Sequence, residues 1–97
     1  MSVSVSTHVL DTARGRPASG VRVELVRDRE VVGSGETDDD GRIGELAVGL
    51  RPGRYAIVFW PGSPFFTRVE LEIELDDGHH HVPLLVSPYG CASYRGS

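Results

Sequence analysis

Apolar and polar residues alternate with a period of two along most of this chain. In "SVSVSTHV", Val3, Val5, Thr7 and Val9 project to one side, and Ser2, Ser4, Ser6 and His8 to the other. "VRVELV" repeats the pattern, with Val21, Val23 and Leu25 inward and Arg22 and Glu24 outward. "RVELEIEL" is the cleanest case: Val69, Leu71, Ile73 and Leu75 alternate with Arg68, Glu70, Glu72 and Glu74. "RYAIVFW" (54–60) is apolar on both faces, which suits a central strand or one covered by another subunit. Breaks fall between these runs: "RGRPASG", the Asp-Gly step of "DDDGR", "RPGR" and "WPGSP". No long segment carries a helical period. The pattern predicts an all-β sandwich of two sheets with seven to eight short strands, forming a single domain over residues 1–97.

At 97 residues the core is modest, since a domain of this size buries only about 60–65% of its unfolded surface. The net charge of −4 supplies no basic stripe for nucleic acid, and no apolar run reaches membrane-spanning length. The single cysteine, Cys91, cannot form an internal disulfide and reads as a small apolar filler. The start of the chain lacks the basic and continuous apolar segments of a secretory signal, so the expected location is cytoplasmic.

Chemistry has few places to reside. The sequence contains no Gly-x-Ser-x-Gly elbow, phosphate-binding loop or dinucleotide fingerprint. Histidine and arginine remain. On a strand, His79 and His81 share a face, whereas His80 joins Val82, Leu84 and Val86 on the other. Two imidazoles projecting together suit proton transfer or metal binding. His8, His79 and His81 form a conceivable zinc set, but no acidic ligand is marked by spacing, and no metal is expected. Histidine with arginine suits attack by water, an imidazole acting as general base and a guanidinium holding an anionic, carbonyl-rich substrate.

"STHVLDTARGRPASGVRVEL", "TDDDGRI", "HHHVPLLVSPYG" and the terminal "YRGS" resemble the 5-hydroxyisourate hydrolases, the transthyretin-related proteins, over nearly the whole chain. The most specific segments are "THVLD", the His-x-His-Val-Pro-Leu-Leu strand and "YRGS". The resemblance implies a transthyretin (prealbumin-like) sandwich and a homotetramer built as a dimer of dimers. It also implies cofactor-free hydrolysis of 5-hydroxyisourate by opening its six-membered ring in urate breakdown. By position it implies catalytic roles for His8, Arg42, His81 and Ser97. Substrate contacts would come from His8, Arg42, His79, Tyr94, Arg95 and Gly96, with "YRGS" closing over a site whose far wall is His8 and Arg42. His8 and His81 both stay open as the general base. A non-catalytic module binding a small ligand is the alternative, although such a module has no need of His8, Arg42 and His81 together.

The chain departs from the family pattern in one substantial respect. The family's helix would lie between the strands "RYAIVFW" and "RVELEIEL", where only "PGSPFFT" (61–67) is present. That helix is expected to be absent. Position 80 is histidine where tyrosine is common, and Cys91 and Ala92 replace an aromatic and a small hydroxyl residue.

Overall fold

The computed structural model describes residues 2–96. One sheet contains β1 (Val3–Asp11), β2 (Arg16–Pro17), β5 (Arg42–Leu50), β8 (Gly78–Val86) and β9 (Cys91–Ser93). The other contains β3 (Arg22–Arg27), β4 (Glu30–Glu36), β6 (Gly53–Trp60) and β7 (Val69–Leu75), in the order β4-β3-β6-β7. Seven of these strands have six or more residues; β2, with two, and β9, with three, bring the total to nine among the described residues.

The alternation read from the sequence is the alternation of burial. Val3, Val5 and Val9 of β1 are fully buried, as are Val23, Leu25, Ile57 and Phe59 from the facing sheet. Leu84 joins them from β8. Each such side chain contributes about 1.5–3 kcal/mol when taken from water into the core. The doubly apolar β6 is central, between β3 and β7. Its outward Val58 is only 2% exposed. Its cross-strand neighbours are Glu24 and Glu70, which pair with Arg22 and Arg68. Long charged side chains thus cover the second apolar face with their stems while their heads stay in water.

No helix occurs among the described residues, and the link from β6 to β7 is a short irregular segment. Ser63 organises it: its Oγ accepts from the amides of Phe65 and Phe66 and donates to the Pro88 carbonyl. Phe66 packs against the core, with Phe65 edge-to-face upon it.

Two pairings of β1 position the site. On one side it runs antiparallel to β5, with His8 opposite Arg42. On the other it runs parallel to β8, with Ser4 opposite His79 and Ser6 opposite His81. The alternation that sends Val3, Val5 and Val9 inward therefore sends Ser4, Ser6, His8, His79 and His81 to the sheet's outer face.

Candidate active site

The tight turn at residues 38–41 fixes Arg42 beside β1. Asp38 accepts the amides of Asp40 and Arg42 on its side-chain oxygen. Gly41 has φ +74°, and a Cβ there would lie 2.5 Å from the Val9 carbonyl oxygen. Glycine is required at this close approach. The turn is latched to β1 by Val9 N–H donating to the Gly41 carbonyl at 2.7 Å. His8 Nε2 lies 2.9 Å from the Asp40 carbonyl oxygen. A carbonyl only accepts, so Nε2 of His8 carries a proton and Nδ1 is the position left for a second partner.

His81 stands across the face from His8, with ring centroids 6.4 Å apart. Its Nδ1 is 2.8 Å from Ser6 Oγ, which leaves Nε2 for a water or substrate. The ring is partly buried, and burial is the main cause that lowers its pKa below the ordinary imidazole value; the positive charges of His8, Arg42 and His79 lower it further. These effects favour the neutral imidazole, the form that can take a proton near neutral pH. Among the described residues no carboxylate lies within ion-pair distance of Arg42, and its side chain is exposed on this face.

The tail approaches the same place. Gly96 N–H donates to the His81 carbonyl at 2.8 Å. A Cβ on Gly96 would sit 2.7 Å from His81 Cδ2, so only glycine passes this close to the ring. His8, Arg42, His79, His81 and Gly96 are thereby brought together. Tyr94 and Arg95, which precede Gly96, line a cavity of about 350 Å³ at the open edge between the sheets, with Leu71, Ile73, His80 and Val82. Ser97 lies outside the described residues. His79 is exposed, and both its ring nitrogens are engaged, Nδ1 with Ser4 Oγ at 2.7 Å and Nε2 with Ser6 Oγ at 2.9 Å. His80 is buried on the core side and bonds to the Asp76 carbonyl. Among the described residues no group of three or more His, Cys, Asp or Glu is arranged to hold a metal ion.

Sequence reasoning missed Ser4 and Ser6 as site residues. Their place on the polar face of β1 was readable. Their contact with His79 and His81 depends on the parallel register of strands more than seventy residues apart, which no local pattern encodes.

A two-sheet sandwich with this strand order, bearing histidines and an arginine on the outer face of one sheet, defines a transthyretin-like protein with a potential hydrolytic site. The chain belongs to the HIUase/Transthyretin family, whose model matches residues 5–96. It is similar to 5-hydroxyisourate hydrolase 2 of Rhizobium meliloti, at 39% identity over 96% of this chain and 95% of the relative. That alignment runs over 114 positions, more than the 97 residues of this chain, so the relative has positions without a counterpart here. The solved 5-hydroxyisourate hydrolase of Klebsiella pneumoniae superposes with a TM-score of 0.91 at 35% identity, covering 98% of this chain and 99% of that one. Sea bream transthyretin, solved in complex with thyroxine, superposes at 0.83 with 24% identity over 95% and 93% of the two chains, a likeness of fold alone.

Proposed function

We propose that this protein hydrolyses 5-hydroxyisourate, opening its six-membered ring in urate degradation. The observation that carries the reading is the neutral-favoured His81, with Nδ1 held by Ser6 and Nε2 available, on the same face as His8 and Arg42. In this reading Nε2 of His81 takes a proton from water. The water oxygen bonds to the carbonyl carbon of the cyclic C–N linkage, and the negative charge gathers on the carbonyl oxygen. The Arg42 guanidinium offsets that charge. As the C–N bond breaks, the departing nitrogen takes the proton back from the imidazolium. Atoms balance with water as the sole co-reactant.

His8 contributes the Nδ1 lone pair, its ring fixed by the Asp40 carbonyl, as an acceptor for a substrate N–H or O–H. The close pass of Gly96 over His81 supports a role for the tail in holding the ring in place. The site is a face rather than a deep pocket within one chain. A second copy packed face to face would enclose it, as expected for a homotetramer of two dimers. An exposed free thiol at Cys91 fits the cytoplasm, where thiols stay reduced. The test is the decay of the near-ultraviolet absorbance of freshly prepared 5-hydroxyisourate. Acceleration by wild-type protein that is lost in His81→Ala and Arg42→Ala supports the reading; folded wild-type protein with no effect overturns it.

A further inference from the structure

We propose that Ser6 and His79 are positioning residues that set which nitrogen of His81 carries the proton, through a hydrogen-bonded chain Ser4–His79–Ser6–His81 across the parallel β1–β8 pair. The inference rests on the hydrolytic reading for its consequence but not for its geometry. The links measure 2.7 Å from Ser4 Oγ to His79 Nδ1, 2.9 Å from His79 Nε2 to Ser6 Oγ, and 2.8 Å from Ser6 Oγ to His81 Nδ1. Ser6 is 9% exposed and touches both rings.

A serine hydroxyl has one proton and two lone pairs, and among the described residues the two rings are the only side-chain partners of the buried Ser6 Oγ. Its proton is therefore placed only when it donates to one ring and accepts from the other. That couples the tautomers. If Ser6 donates to His79 Nε2, then the neutral His79 carries its proton on Nδ1 and donates it in a hydrogen bond to Ser4 Oγ. His81 then donates from Nδ1 to Ser6, and its Nε2 is a free base. If Ser6 donates to His81 Nδ1, both rings carry their protons on Nε2, and His81 presents an N–H donor instead of a base. The two neutral histidines therefore share one tautomer, and reversing the chain exchanges base for donor at His81 Nε2. Protonation of the exposed His79 makes both its nitrogens donors. Ser6 then accepts from His79 and places its own proton by donating to His81, which removes the basic lone pair from Nε2 of a neutral His81. The exposed imidazole thus acts on its neighbour without touching substrate.

Among the described residues, the groups facing His81 are Ser6 and His8 from β1, Arg42 from β5, His79 from its own strand, and the Gly96 amide of the tail on its backbone carbonyl. None of these is a carboxylate, and the Ser6 hydroxyl stands at Nδ1 where an anionic partner orients many catalytic histidines.

The test has two arms on the full chain. Nitrogen-15 spectra of histidine-labelled protein, above the pH at which either ring is charged, report the tautomer of each. The same tautomer at His79 and His81 is expected; opposite tautomers overturn the proposal, whatever the protein does to 5-hydroxyisourate. In the second arm, Ser6→Ala is expected to lower kcat roughly tenfold with KM little changed and to alter the acid limb of the pH profile. Ser6→Thr, which retains the hydroxyl, restores both. His79→Gln, at an exposed position, gives an independent check, because it too should alter the acid limb. Unchanged pH profiles in both Ser6→Ala and His79→Gln overturn the proposal. Wild-type protein with coupled tautomers and no turnover would instead contradict the hydrolytic function while leaving the chain intact.

Discussion

His81 concentrates the consequences at the residue scale. Its pKa is lowered by burial first and by His8, Arg42 and His79 after that. The base must be neutral, so kcat/KM should fall with acid along a limb centred below the ordinary value of about 6.5. Removing the Arg42 charge should move that limb upward, besides costing about 10²–10³ in rate for the lost oxyanion partner. A pH–rate series on wild type and Arg42→Gln measures both. The stability sign follows from the same shift. Between the lowered folded value and about 6.5 the unfolded chain binds more protons, so the contribution of His81 is complete above about 6.5 and is lost as pH falls through the folded value. Gly96→Ala is expected to depress turnover by displacing either the tail or the His81 ring, because its Cβ would lie 2.7 Å from Cδ2 and 3.0 Å from the His81 carbonyl oxygen. Steady-state kinetics with circular dichroism would separate that effect from unfolding. The histidines stood out as single residues by their type, whereas Arg42 was singled out only by the resemblance to the hydrolases. The serines between them did not stand out, since a serine on a strand's polar face is ordinary until its partner strand is known.

Elements were the most legible scale, because a strand with one buried face writes itself as alternation. In the runs at 3–9, 21–25 and 69–75 the valines, leucines and isoleucine are buried or partly buried, and on β1 Ser6 and Thr7 are buried with them. Pairing was less legible: the parallel β1–β8 contact joins distant segments, and β5 meets β1 through register shifts that no local composition marks. The missing helix was readable only by setting the short 61–67 link against the pattern of the family the chain resembles. Two connections make testable claims. Thr37 is buried, and its Oγ1 donates to the Ala18 carbonyl at 2.7 Å and accepts from the Val21 amide at 2.9 Å. Thr37→Val keeps the shape and strands both backbone groups, so a loss of about 1–3 kcal/mol per group is expected in urea unfolding. Gly33 sits where β4 crosses β5; a Cβ there would overlap the Leu46 carbonyl oxygen and come within 2.8 Å of Ala47 Cβ. Gly33→Ala is therefore expected to destabilise by about 1–3 kcal/mol through overpacking, visible as a lower Tm.

For the whole molecule, the architecture turns one sheet's outer face into a surface carrying His8, Arg42, His79 and His81, while the second sheet covers the outward apolar face of its central strand with paired charges. The open face is the reason a face-to-face assembly is proposed. Molar mass in solution tests it, with a tetramer expected; a monomer retaining full turnover would contradict an enclosed site made from two copies. Sequence could not show this scale, because a polar strand face reads alike whether solvent or a second copy covers it. The central claim is that this face hydrolyses 5-hydroxyisourate with His81 as base. The most direct measurement follows the near-ultraviolet decay of 5-hydroxyisourate with wild-type protein and His81→Ala at one neutral pH. The account predicts clear acceleration by wild type and a loss of about 10²–10⁴ in the variant; a folded His81→Ala protein that turns over as fast as wild type would contradict it.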